Sequence, residues 1–188
     1  MKEIEFLTSS QYKFNQVKAI IPQLEQTTIE IEEIQSLDQQ EVTYYKLFSG
    51  AKVFQDSRSI IVEDTGVYFK GLNNFPGPLI KWMCVSMSIH EIAELVMNTG
   101  NTQAFVKTTI GYLPDCTSIE AYYFTNTLYG TIVKPRGDFR MTTGCMPIFV
   151  PDGHTHTLAE MDEEELYSCS MRIAAAKELK LFLDNQGK

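Results

Sequence analysis

The stretch from Ser59 to Trp82, SIIVEDTGVYFKGLNNFPGPLIKW, constrains this chain more than any other. Ile60, Ile61 and Val62 are β-branched and apolar, and they read as the end of a buried strand. Glu63 and Asp64 follow, then Thr65 and Gly66. A strand that ends in acids and a glycine offers them at the carboxyl edge of a sheet, where open α/β folds bind ligands. Val67 to Phe69 is a second short apolar run, and Asn73-Asn74 makes a turn. Pro76-Gly77-Pro78 forms a stiff bend with Lys81 and Trp82 beyond it. Two readings fit these residues. One is a metal–phosphate site, with hard oxygens for Mg²⁺ and an ammonium for phosphate. The other is a surface hairpin with solvated charges, and composition leaves both open.

The global bounds narrow the partners. The chain has 188 residues, enough for one domain with a sizeable core. Its formal charge is −8, and Lys and Arg form no basic stripe, which argues against nucleic acid as a partner. No apolar run approaches a membrane-spanning length, and the start MKEIEF lacks a signal-peptide core, so the expectation is a cytoplasmic protein with no membrane partner. Cys84, Cys116, Cys145 and Cys169 are dispersed and read as reduced thiols. His90, His154 and His156 have no zinc-ligand spacing with them.

Strand–helix units come first and strand-rich segments later. Lys2 to Leu7 predicts a strand, Thr8-Ser9-Ser10 a turn, and Gln11 to Ile21 a helix with Lys13 in its first turn. A cation there opposes the helix macrodipole unless an anion is near. A phosphate fits this helix start, and so does a plain capped surface helix. Thr27 to Ile34 alternates like a strand, and Gln39 to Phe54 reads as a helix capped from Ser36-Leu37-Asp38. Val85 to Met97 predicts another helix. Thr102–Tyr112 and Ser118–Leu128 predict a hairpin, and Gly130–Val133 a further strand. Asp162 to Glu165 suits a helix start, and Ser168 to Leu183 a last helix carrying Arg172. The order argues for a mixed α/β or α+β sheet.

These pieces together resemble the inosine triphosphate pyrophosphatases. The resemblance runs nearly the whole length and rests on VEDT at Val62–Thr65, NFPGPLIKW at Asn74–Trp82, KPRG at Lys134–Gly137, FVPDG at Phe149–Gly153, LAEM at Leu158–Met161 and the S-x-R of Ser170–Arg172. It implies an elongated, two-lobed α/β protomer around a long mixed sheet, spanning residues 1–188 as one domain, with its active cleft between the lobes. It implies a homodimer, with the segment from Trp82 to Met97 contributing to the dimer, and Mg²⁺-dependent hydrolysis of a nucleoside triphosphate to the monophosphate and pyrophosphate. The family's T-x-N-x-x-K turn falls on Thr8, Ser10 and Lys13, and its metal-binding Glu on Glu33. Phosphate-contacting lysines fall on Lys46 and Lys81, and the closing Arg on Arg172. The acid that activates water falls on Asp64, which shares the metal with Glu33, and Glu63 stands beside it. Thr65 and Ser10 serve equally well as capping groups or as substrate ligands.

The departures from that pattern cluster. The family's first-turn Asn is Ser10, its G-W-D-P is Gly144-Cys145-Met146-Pro147, and the base-stacking aromatic is Thr143, although Phe139 in the longer loop is a substitute. The closing Lys is Leu166 and the His before the Arg is Met171. The resemblance therefore implies a kept phosphate and metal half and a base pocket of Thr143, Cys145, Met146, Leu166 and Met171 without its polar readers. A protein of altered base preference follows. A catalytically weak relative that only binds nucleotide or a protein partner is the alternative.

Overall fold

The structure is a computed structural model, and it describes residues 4–137 and 144–186. Its strands are β1 (Ile4–Leu7), β2 (Leu24–Thr27), β3 (Ser59–Phe69), β4 (Pro76–Gly77), β5 (Gln103–Leu113), β6 (Tyr122–Ile132) and β7 (Phe149–Pro151). Its helices are α1 (Gln11–Lys18), α2 (Gln39–Phe54), α3 (Ile80–Ser86), α4 (Ile89–Met97), α5 (Glu163–Cys169) and α6 (Met171–Gln186). The strands form one seven-stranded sheet in the order β2-β1-β3-β5-β6-β7, with β4 paired to β3. Strand β1 runs parallel to β2 and β3, whereas β3–β4 and β6–β7 are antiparallel. The expected mixed α/β sheet with flanking helices is therefore present. No helix among the described residues is long and apolar enough to cross a membrane.

The chain divides into two compact units. The first comprises Met1–Asp64, Thr108–Asn126 and Arg172–Lys188, and the second Thr65–Lys107 and Thr127–Met171. In the first unit, strand alternation sorts the core onto two faces. Phe6, Ile61 and Ile110 point to one face, where Val17 of α1 and Ile173, Ala176 and Leu179 of α6 cover them. Leu7, Ile60 and Val62 point to the other, against Leu47 and Ala51 of α2. Helix α2 lies close to the strands because Gly50 has no side chain: a Cβ there would come within 2.3 Å of Leu7 Cδ1. The second unit has its own core, with Phe69, Ile92, Val96, Ile148 and Phe149 among its buried residues.

Several elements depart from the sequence reading. The alternating run 28–34 is not a strand; the strand lies earlier, at Leu24–Thr27. The ladder between β1 and β2 ends at Leu7 and Thr27, so the following residues have no partner edge, although Ile29 and Ile31 still pack inward. The helix expected over Val85–Met97 is two, because Ser88 and Glu91 form a capping box that starts α4 afresh. The helix start expected at Asp162–Glu165 is present as α5, and the last helix begins at Met171 rather than Ser168. Asp162 and Glu165 make a second capping box at α5, and Ser170 is extended before α6 begins. Strand β6 starts later than expected and absorbs Gly130 to Ile132. Trp82 is 51% exposed on α3. Helix α2 has the expected limits and the expected Asp38 cap.

Replacing Gly50 by Ala should force the α2–β1 contact apart and lower stability by about 1–3 kcal/mol, the usual effect of overpacking a filled core. Thermal or urea unfolding of the variant measures it.

Candidate active site

Glu63 and Asp64 do not end a strand; they lie in the middle of the 11-residue β3. The ladder continues past them because β4 pairs with Val67 and Tyr68 farther along. What ends here is β1. Its pairing with β3 stops at Phe6 and Ile61, and the chain leaves through Thr8 into α1. The two acids thus stand just beyond the carboxyl end of a parallel neighbour, where α1 begins.

Being consecutive in a strand, they point to opposite faces. Glu63 continues the face of Ile61. Its carboxylate has 0% exposure and meets Lys13 Nζ of α1 at 2.7 Å and Arg172 Nη2 of α6 at 3.5 Å. Asp64 continues the face of Ile60 and Val62, toward α2. Lys46 of α2 lies between two carboxylates, with Nζ 2.7 Å from Glu33 Oε1 and 3.9 Å from Asp64 Oδ1. The sequence reading treated Glu63 and Asp64 as neighbours sharing one task. The structure separates them: Glu63 is a buried counter-ion to two cations, and Asp64 belongs to a group with Glu33 and Lys46.

Helix starts position several of these side chains. Ser10 caps α1 by accepting a hydrogen bond from Lys13 N at 3.3 Å, and Thr8 Oγ1 accepts one from Ser10 N at 3.1 Å. Both hydroxyls therefore act as capping groups in this structure. On α2, Gln39, Thr43 and Lys46 form a buried stripe at i, i+4 and i+7. Gln39, 1% exposed, donates from Nε2 to the main-chain oxygen of Asp64 at 3.0 Å, and Thr43 Oγ1 donates to Gln39 O at 2.8 Å. Gln39 escaped the sequence reading. Its signal was a polar residue in register with Lys46 on a helix face that had to be buried.

Burial holds the Asp64 carboxyl above the ordinary aspartate range, with Glu63 pushing the same way and the Lys46 ammonium opposing. Asp64 Oδ2 is buried and has no hydrogen-bond partner among the described residues. An unmet carboxylate oxygen beside a second carboxylate suits a hard cation. No cluster of three or more His, Cys, Asp or Glu side chains able to hold a metal occurs among the described residues. Two carboxylates, Glu33 and Asp64, are a donor set that Mg²⁺ accepts, since it fills its other positions with water and substrate phosphate.

The remaining expected residues lie elsewhere. Thr65 continues β3, half-buried. Lys81 is on α3 in the second unit, exposed, with Nζ 5.6 Å from the Trp82 ring centroid. Cys145 is a free thiol buried in the second unit's core; a hydrogen bond with the Cys84 thiol and burial push its pKa well up. Met146, Leu166 and Met171 pack half-buried against the same apolar cluster. Thr143 and Phe139 lie outside the described residues. His154 and His156 are exposed, as a solvated turn requires.

A sequence profile of the Ham1 family matches residues 4–182. The chain belongs to the Ham1 family. Among its relatives, the inosine triphosphate pyrophosphatase of Schizosaccharomyces pombe is 32% identical over 189 residues, covering 99% of this chain and 97% of that protein. The dITP/XTP pyrophosphatase of Hyperthermus butylicus is 34% identical over 156 residues, covering 82% of this chain and 78% of that protein. The solved structure of a HAM1 protein from Coxiella burnetii has the same fold, with a TM-score of 0.83 at 21% identity, covering 98% of this chain and all of that one (100%). The Staphylococcus aureus Ham1 protein matches with a TM-score of 0.81 at 23% identity, covering 98% of this chain and 100% of that one. The resemblance read from VEDT, NFPGPLIKW and KPRG is thus a family membership, and the Ham1 sheet is what carries Glu63 and Asp64.

The two acids should respond in opposite ways to neutralisation. Glu63→Gln leaves Lys13 and Arg172 without their buried counter-charge, and should lower stability by about 3–5 kcal/mol in urea unfolding. Asp64→Asn removes a carboxylate that burial disfavours, and should raise stability at neutral pH in metal-free buffer. A folded-state pKa above the unfolded value lowers stability in full above the folded pKa, by less between the two values, and not at all below the unfolded one. The advantage of Asp64→Asn should therefore be full above the folded pKa of Asp64, shrink as pH falls below it, and vanish below the ordinary aspartate value of the unfolded chain.

Proposed function

We propose that this Ham1-family protein is a nucleoside triphosphate pyrophosphatase that releases the monophosphate and pyrophosphate. The observation that carries the reading is the group on the α2 face: Asp64, with its raised pKa and an unmet buried oxygen, beside Glu33 and Lys46. The names of the relatives support it, since they are pyrophosphatases of inosine and xanthosine nucleotides.

The chemistry follows from charge. Water attacking an already polyanionic chain meets repulsion, so positioned cations do most of the work. Mg²⁺ held by Glu33 and Asp64 would offset phosphate charge. Lys46 reaches the same place, and its ammonium exchanges a carboxylate for a phosphate oxygen when substrate arrives. Asp64 accepts the proton of the attacking water; burial, by lifting its basicity, suits it to that task. The water cleaves the bridge between the α- and β-phosphates. Lys13 and Arg172 contribute positive charge to the substrate, and Glu63 holds both in place rather than taking a proton itself.

We also propose that base preference has moved away from inosine and xanthosine. Cys145, Met146, Leu166 and Met171 are packed into an apolar cluster, and none carries a group that reads a purine edge as a carboxylate, ammonium or imidazole would. A homodimer is part of the same reading, and exposed Trp82 and Val85 on α3 supply apolar surface for it; sedimentation gives the mass.

Pyrophosphate release with Mg²⁺ from a panel of nucleoside triphosphates should be measurable, with kcat/KM values for several bases within about a hundredfold of one another. Asp64→Asn should lose at least about a hundredfold in kcat with its fold intact. No release from any member of the panel by folded protein would favour a binding module. A preference for inosine triphosphate greater than a hundredfold would refute the altered pocket.

A further inference from the structure

Arg172 is held by more than its counter-ion. Its side chain is 7% exposed, and its contact with Glu63 is long, at 3.5 Å. The short contact is on the other arm of the guanidinium, where Nη1 donates to Gln16 Oε1 at 2.6 Å. Gln16 lies on α1 one turn beyond Lys13, so a single helix face delivers both residues. The amide of Gln16 is itself oriented, because its Nε2 donates to the Tyr12 hydroxyl at 3.1 Å. An amide has one accepting and one donating end. With the donating end spent on Tyr12, the accepting end faces Arg172. The Tyr12 ring completes the surround, its centroid 5.7 Å from the guanidinium carbon.

We propose that Gln16 is a positioning residue for Arg172, oriented in turn by the Tyr12 hydroxyl. A guanidinium on a flexible stem recognises a phosphate or carbonyl oxygen well only when its plane is fixed. Glu63 supplies attraction but little direction at 3.5 Å, whereas the Gln16 bond is short and directional. Gln16 holds one arm without neutralising the charge. The proposal rests on the reading of Arg172 as a substrate contact.

The test is a set of variants assayed for kcat/KM and for triphosphate affinity by calorimetry, the latter both with Mg²⁺ and in chelator. Gln16→Met removes the acceptor at nearly constant volume and should lower kcat/KM about tenfold or more, the usual weight of a hydrogen bond to a charged group. Gln16→Glu keeps an acceptor for the guanidinium, and the Tyr12 hydroxyl can turn donor, so it should lie closer to the parent than Gln16→Met. Tyr12→Phe, at an exposed position that tolerates the change, should show a smaller loss in the same parameters. In an Arg172→Ala background Gln16→Met should have no further effect. Losses that multiply in the double variant would overturn the proposal, as would an Arg172→Ala loss with Gln16→Met at parental values or Glu worse than Met. If Arg172→Ala itself changes neither parameter, the reading of Arg172 as a substrate contact is what fails, and the proposal falls with it.

Discussion

A carboxylate without exposed surface sits in the middle of a central strand, and the structure around it depends on neutralising it. Burying an ionised group is expensive unless it is paired. Glu63 is paired twice, with Lys13 in the first turn of α1 and Arg172 in the first turn of α6. Each cation stands at the end of a helix where the macrodipole disfavours positive charge. One anion therefore makes both placements tolerable and ties the starts of two helices to β3. The apolar contacts of the same face, Val17 and Ile173 against Ile61, follow from that docking.

Strand geometry then separates chemistry from structure. Adjacent residues of a strand cannot serve the same face, so Glu63 and Asp64 enter different surroundings. Glu63 is committed to its two cations. Asp64 reaches the α2 face, where Lys46 and Glu33 lie, and keeps one oxygen unmet. Such an oxygen works against stability and for basicity. The close approach of α2, permitted by Gly50, brings Lys46 within reach, and Gln39 on the same helix holds the main chain of Asp64. The charged groups are therefore supplied from opposite sides of one strand, α1 and α6 reaching Glu63 and α2 reaching Asp64.

The second unit is of different character. Its core gathers Cys145, with Met146, Leu166 and Met171 packed half-buried against it. Apolar side chains fill space and exclude water, but they do not distinguish a keto from an amino edge.

Much of this was legible in the sequence. The Asp38 cap and the limits of α2 could be read because they depend on neighbours a few residues apart, and the mixed sheet because strand–helix units come first and strand-rich segments later. The capping box at Ser88 is equally local, and it divides the helix that periodicity alone predicts over Val85–Met97. The run 28–34 misled because alternation shows which side chains face inward, while a strand also needs a partner edge, and β1 ends too soon to supply one. The site divides the same way. The sequence by itself determined the chemical inventory: two adjacent acids, a set of lysines, a late arginine. Only the tertiary structure decided their roles, because pairing Lys13 and Arg172 with Glu63, Lys46 with Glu33 and Asp64, and Gln16 with Arg172 depends on which faces of distant elements meet around β3.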